Sequence, residues 1–322
     1  MSPEGGDPAP LRANRDSTYL HGTTSLSVLQ WNDKYYILAV RQGYVRAGSF
    51  HCGSLTLDIL YPVNESGVRL EHDGFVSVLT LDRPAARNAI ARATMRELAS
   101  ALDEVADSPA RVLVVTGAGD RVFVSGGDLK ELSEVRTLDG AIEMAAQMRT
   151  VLDRLATLPI PVLAAVNGHA YGGGAEVAVA CDIRIAVDDV ECAFNQIALG
   201  ITPAWGGIER LTALVGRSQA LLLMTTGRSV SAAGALRIGL FDEIVPRSEF
   251  ESHWAATATQ IARGPREALT GIKAAQHAAF PVAHPDLAET AIESFAQAWV
   301  ADAHWQMAEE AEQRRRAARL GS

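Results

Sequence analysis

From residue 67 onward, short apolar runs alternate with longer stretches whose apolar residues recur three and four apart. Phe75–Asp82, Arg111–Thr116, Pro161–Val166 and Ile183–Val187 read as buried strands. Between them, Met95, Leu98, Leu102 and Val105 share one helical face, and Met144, Met148, Val151, Leu152 and Leu155 form a second stripe. Strands spaced by helices predict an α/β architecture. Beyond Ser231, which is placed to cap a helix stopping near Gly239, the pattern is helical, with helices expected over 248–263, 265–278 and 285–316.

The chain before residue 67 follows a different pattern. Met1 to Asp16 is rich in Pro, Gly and charge and has no apolar signal core, so it reads as a disordered leader. Within the extension 17–66, Ser25–Trp31 and Lys34–Val40 flank Asn32-Asp33 in the manner of a hairpin. Leu55–Tyr61 supplies a third strand ahead of a linker at Pro62-Val63-Asn64-Glu65. A segment this short builds only a marginal core by itself. The expected divisions are therefore 1–16, 17–66, a core over 67–248 and a helical region over 249–322.

Composition narrows the function. With 322 residues, 48% hydrophobic and 21% charged, the chain has the balance of a soluble globule. A formal net charge of −9 argues against generic nucleic-acid or anionic-lipid partners. Cys52, Cys181 and Cys192 lack CxxC spacing, which suits reduced thiols in a cytoplasmic protein. No apolar run approaches the roughly 18–20 residues that a membrane span needs. No metal-ligand spacing stands out.

The chemistry begins at Tyr171-Gly172-Gly173-Gly174-Ala175-Glu176. Glycines that open a helix let the backbone approach a ligand and leave amide N–H groups unpaired. Helix dipole and free donors together favour a developing negative charge. Alone, such a triplet is more often a tight turn, and it matches neither a P-loop nor a dinucleotide fingerprint. Three further segments change that weighting: Leu81-Asp82-Arg83-Pro84-Ala85-Ala86-Arg87-Asn88, Phe123-Val124-Ser125-Gly126-Gly127-Asp128-Leu129-Lys130 and Leu199-Gly200-Ile201-Thr202-Pro203-Ala204-Trp205-Gly206-Gly207. In order and spacing, residues 67 to about 315 resemble the crotonase (enoyl-CoA hydratase/isomerase) superfamily.

The resemblance implies a spiral of ββα units with C-terminal helices that build a homotrimer or hexamer. It implies an oxyanion hole of two backbone amides, at Ala86 and Gly173; Gly126, Gly127, Asp128, Leu129, Gly172 and Trp205 are the expected contacts to substrate or coenzyme A, with Trp205 either at the acyl pocket or in the core. Lys130 and Lys273 are candidates for the phosphates of coenzyme A. No cofactor is expected to be permanently bound; coenzyme A enters as part of the acyl-CoA, or carrier-bound, substrate. Glu176 matches the first catalytic carboxylate of hydratases, whereas the second position holds Gln196.

An amide cannot exchange a proton near neutral pH. An isomerase, a decarboxylase or a specialised lyase with Glu176 as main acid/base is therefore expected first, with local similarity to ethylmalonyl-CoA decarboxylase-like members around Trp205. Ala204 stands where dienoyl-CoA isomerases carry an aspartate. A hydratase using another second group, with Glu191 and Glu209 as candidates, is one alternative; a non-catalytic scaffold that binds coenzyme A is another. Phe194 is either pocket wall or core, and His169 is expected to be structural.

Overall fold

The computed structural model describes residues 67–279 and 285–320 and, before them, the backbone pairing of five strands. The chain divides between Glu65 and Ser66 into two units. In the first, β1 (Thr24–Trp31) and β2 (Lys34–Arg41) pair antiparallel with Trp31 opposite Lys34, the hairpin expected around Asn32-Asp33. Strand β3 (Tyr44–Val45) continues from β2. The expected third strand is shorter, Leu55–Asp58 (β5), and pairs with β4 (Ser49–Cys52). The leader and the linker at 62–65 lie outside the described residues.

The second unit is built from two sheets. The larger holds β6 (Val68–Asp73), β7 (Val76–Leu81), β8 (Val112–Gly117), β10 (Val162–Val166), β12 (Ile183–Val187) and β15 (Glu243–Val245), in the order β15-β12-β10-β8-β7-β6. The smaller holds β9 (Val122–Val124), β11 (His169–Tyr171), β13 (Glu191–Ala193) and β14 (Val230–Ser231), in the order β14-β13-β11-β9. Only the hairpin β6–β7 and the pair β13–β14 run antiparallel. Strands β8, β10 and β12 are almost wholly buried, and parallel strands covered on both faces require such continuous apolar runs.

From β8 to α5, each turn of the chain lays one strand in the large sheet, one in the small sheet, and then helix. Helix α1 (Arg92–Asp107) follows β7, α2 (Leu129–Leu132) and α3 (Leu138–Ala156) follow β9, and α4 (Gly173–Ala180) follows β11. This is the crotonase-like α/β spiral. Helix α1 buries the predicted face of Met95, Leu98, Leu102 and Val105. Helix α4 is buried at every position. A Cβ on Gly174 would collide with the Val124 carbonyl, so only glycine lets α4 lie this close to β9.

After β13 come α5 (Gly207–Val215), α6 (Arg217–Thr226) and α7 (Ala232–Arg237). Ser231 caps α7 as expected, its hydroxyl accepting from Gly234 N at 3.3 Å. Helices α8 (Arg247–Ala262), α9 (Arg266–Ala279), α10 (Pro285–Val300) and α11 (Asp302–Leu320) complete the chain. The single helix expected over 285–316 is thus broken at Ala301. Trp299 Nε1 donates to Val135 O at 2.9 Å and seats α10 beside α3. Three residues past the break, His304 Nδ1 binds Leu199 O at 2.6 Å and seats α11 on the 196–199 turn. These two anchors lie on different parts of the core, and one straight helix does not serve both. Among the described residues, no helix is long and apolar enough to cross a membrane.

Candidate active site

The first turn of α4 and the loop after β9 bring two free amides to one place. Gly172, at φ +55°, donates its N–H to Ala193 O, and its carbonyl accepts from Ala175 and Glu176. The Gly173 N–H, one residue into the helix, has no acceptor among the described residues. On the facing loop, Ile90 N donates to Gly126 O at 2.8 Å and Asp128 N donates to Ile90 O at 2.9 Å. In such a parallel bridge the intervening residue turns its own N–H away. That residue is Gly127, whose N–H is likewise without an acceptor. A Cβ built on Gly126 would stand 3.1 Å from Gly173 N. The rings of Trp205 lie against both amide-bearing glycines: a Cβ on Gly173 would be 2.8 Å from Cη2, and one on Gly127 3.7 Å from the same atom.

Ala86, expected as one donor of this pair, does not have a free amide. Its N–H donates to Arg83 O at 2.9 Å within the tight turn Pro84–Ala86. The segment instead acts as a brace. Asn88, at φ +54°, donates Nδ2 toward Ala118 O, Val122 O and Phe123 O and accepts from Arg83 N. Arg83 reaches Ala89 O at 2.6 Å and the Asp128 carboxylate at 2.8 Å. Asp128 therefore helps to hold the Gly126–Gly127 loop in place.

Glu176 lies one helical turn beyond Gly173, on the same face. It is only 2% exposed. Its Oε1 accepts from Trp205 N at 2.8 Å and Gly207 N at 2.9 Å, at the start of α5. Its Oε2 accepts from Gln196 Nε2 at 2.9 Å. Burial pushes the carboxyl up to about 7, against the opposing pull of those three donors and of Arg210. Glu176 thus exists in both protonation states near neutral pH, as a proton carrier must. Gln196 is buried in the 196–199 turn, as the register placed it.

The other candidates are accounted for elsewhere. Lys273, expected at coenzyme A phosphates, is buried and bonded to Asp182 at 2.6 Å and Ile160 O at 3.0 Å. Lys130 is exposed, and Leu129 is half-buried beside it. Glu191 accepts from Tyr171 OH at 3.2 Å, and its N–H donates to His169 Nδ1 at 3.0 Å. Phe194 is core. Cys181 and Cys192 are free and buried, and burial pushes both thiols up to about 12. Among the described residues, no cluster of His, Cys, Asp or Glu could hold a metal ion.

Glu209, the remaining carboxylate candidate, belongs to a buried ionic group behind the site. It pairs with Arg149, which also holds Asp153 through Nε at 2.9 Å. Asp153 pairs in turn with Arg210, whose Nη1 donates to Trp205 O at 2.9 Å. The group so fixes the Trp205–Gly207 backbone that feeds Glu176. Glu209→Ala leaves Arg149 short of a buried partner and is expected to cost about 3 kcal/mol. Urea unfolding of the two proteins measures it.

The enoyl-CoA hydratase/isomerase family model matches residues 71–316. The chain belongs to that family. It is 41% identical over 198 residues to the short-chain-enoyl-CoA hydratase of Clostridium acetobutylicum, covering 61% of this chain and 74% of that one. It is 37% identical over 227 residues to a probable enoyl-CoA hydratase of Rhodobacter capsulatus, covering 70% and 86%. Among solved structures, an enoyl-CoA hydratase from Mycobacterium avium subsp. paratuberculosis superposes with a TM-score of 0.71 at 26% identity, over 77% of this chain and 96% of that one.

Proposed function

We propose that the protein hydrates 2-enoyl-CoA thioesters, with Glu176 as its proton carrier. The observation that carries this reading is a buried carboxyl poised at about 7, one helical turn from the free Gly173 amide. The thioester carbonyl sits between the Gly127 and Gly173 N–H groups, which stabilise the enolate oxygen as negative charge develops there. Glu176 takes a proton from water as the water oxygen bonds to Cβ, and the proton is delivered to Cα. One carboxylate suffices when the same proton leaves the water and returns to carbon. Gln196 orients that water and never carries the proton.

The names of the relatives support hydration ahead of the isomerisation or decarboxylation that Gln196 first suggested. Isomerisation between 2- and 3-enoyl thioesters is the second reading, favoured by the same amide: a lone carboxylate can move one proton between Cα and Cγ. Turnover of crotonyl-CoA, a 3-enoyl-CoA, methylmalonyl-CoA and ethylmalonyl-CoA in water labelled with deuterium and heavy oxygen separates the readings. Heavy oxygen in the product means hydration; a shifted double bond without heavy oxygen, isomerisation; loss of carbon dioxide, decarboxylation. Coenzyme A binding without turnover would mean a scaffold. Carrier-bound thioesters belong in the same panel, and light scattering tests the proposed trimer or hexamer.

The proposal fixes a pH dependence. Glu176 must be ionised to accept the water's proton, so kcat/KM for hydration rises with pH and levels off above about 7. A profile flat between about pH 5 and 9 would remove Glu176 from the role of base.

A further inference from the structure

Four ring carbons of Trp205 stand where side chains on the two amide-bearing glycines would be. Cζ3 and Cε3 face Gly173, Cζ2 faces Gly127, and Cη2 faces both. Together they form the outer edge of the indole's benzene ring, so one rigid edge spans both glycines. The main chain of the same residue serves the proton carrier. Trp205 N donates to Glu176 Oε1 at 2.8 Å, and Trp205 O accepts from Arg210 Nη1 at 2.9 Å. Those two bonds fix the backbone from which the ring projects. Leu132 closes the neighbouring space, its Cδ1 2.8 Å from where a Cβ on Gly127 would stand.

Both side chains are buried, Trp205 at 7% and Leu132 at 3% exposed. Trp205 is nonetheless not closed core. Its Nε1 has no acceptor among the described residues but, unlike Gln196 Oε1, is not sealed from solvent. A buried indole N–H usually finds a partner. One left free marks a ring that borders a space which solvent reaches.

The path of the substrate follows from these positions. With the thioester oxygen between the Gly127 and Gly173 N–H groups, Cα lies toward Glu176, which exchanges its proton. Cβ, which takes the water's oxygen, comes next. Trp205 borders this path at both ends, by its ring at the two glycines and by its backbone at the carboxyl. Carbons beyond Cβ continue alongside the indole edge and Leu132, where close packing leaves no room for a long chain.

We propose that Trp205 is the specificity-determining residue for acyl length: its indole ends the acyl pocket shortly beyond Cβ, so the protein takes short 2-enoyl thioesters such as crotonyl-CoA and rejects 2-octenoyl-CoA. The proposal rests on the hydratase reading for where the thioester lies, and it names the substrate class of that reading. Forcing further methylenes into a filled site is unfavourable in the same way as overpacking a core.

The test is kcat/KM for crotonyl-CoA and for 2-octenoyl-CoA, measured on the full-length protein and on its Trp205→Ala and Trp205→Phe variants. The ratio of the two is read within each protein, so a partly folded variant still reports its preference. The parent is expected to favour crotonyl-CoA by at least about tenfold. Trp205→Ala vacates the place of an indole, and an apolar cavity of about 150 Å³ already accepts a ligand the size of benzene. Each methylene that enters is worth up to about fourfold. The ratio should therefore move toward 2-octenoyl-CoA by about tenfold or more in Trp205→Ala, with Trp205→Phe between. The N–H that serves Glu176 is main chain and remains in both variants. A parent that turns over both thioesters alike, or a ratio that neither variant moves, overturns the proposal.

Binding separates the pocket from the chemistry. Butyryl-CoA and octanoyl-CoA, saturated and inert to hydration, are titrated into the same three proteins by calorimetry. The parent should bind butyryl-CoA the more tightly, and Trp205→Ala should gain affinity for octanoyl-CoA. That gain in a protein that hydrates neither enoyl thioester would keep the pocket assignment and remove the hydratase reading. Equal affinities that neither substitution changes overturn the pocket assignment whatever the reaction.

Discussion

Glu176→Gln is expected to lower kcat by about 10²–10⁴-fold with KM changed only a few-fold, the range for removing a general acid–base group. The amide oxygen can still accept from Trp205 N and Gly207 N, so the site keeps its shape and its affinity for the thioester. What goes is the exchangeable proton. Stability gives an independent check, because the folded carboxyl titrates at about 7 against an ordinary 4.5. Between those values the folded state binds more protons than the unfolded one, so this group's contribution to stability falls as pH rises and stays low above 7. The Gln variant lacks that loss. Denaturation at about pH 8 should therefore find it at least as stable as the parent while nearly inactive. Turnover within twofold of the parent would mean that another group moves the proton.

Gly173→Ala should cost about 10²–10³-fold in kcat, the loss seen when one oxyanion-hole donor is misplaced. The new methyl would overlap Trp205 Cζ3 and stand 2.6 Å from Cε3, closer than carbon atoms tolerate. Trp205 is itself buried and shared with Gly127, so it has little room to retreat. Either the indole moves or the first turn of α4 does, and the Gly173 N–H no longer points at the enolate oxygen. Combining the change with Trp205→Ala removes the obstruction and should recover part of the lost rate. Full activity in the single variant, with its fold intact by circular dichroism, would place the oxyanion hole elsewhere.

The large sheet was legible in the sequence because β8, β10 and β12 are buried on both faces and read as unbroken apolar runs. The small sheet was not. Strands β9, β11 and β13 have three residues each, too few for any alternation to register. The break at Ala301 carries no Gly or Pro; it is set by Trp299 and His304 gripping distant parts of the core. Motif spacing singled out Glu176, Gln196 and Gly173, each on one continuous local segment, and the structure sets Gln196 Nε2 2.9 Å from Glu176 Oε2. The second free amide beside Gly173 was not legible. Which N–H is free depends on which are consumed, and Ala86 spends its own on Arg83 while the Ile90 bridge leaves Gly127 unspent. Lys273 misled for a related reason: its carboxylate partner is 91 residues away.

The grip of His304 on Leu199 also bears on how the protein is made. The 196–199 turn that carries Gln196 is braced by a residue 105 positions further along the chain. A ribosome finishing α5 to α9 has already emitted Gly127, Gly173 and Glu176, yet the turn opposite them still lacks its brace. On the proposed reading the site is therefore completed late, when α11 emerges and docks: a nascent chain halted before His304 carries Gly127, Gly173 and Glu176 without the brace on the turn opposite them.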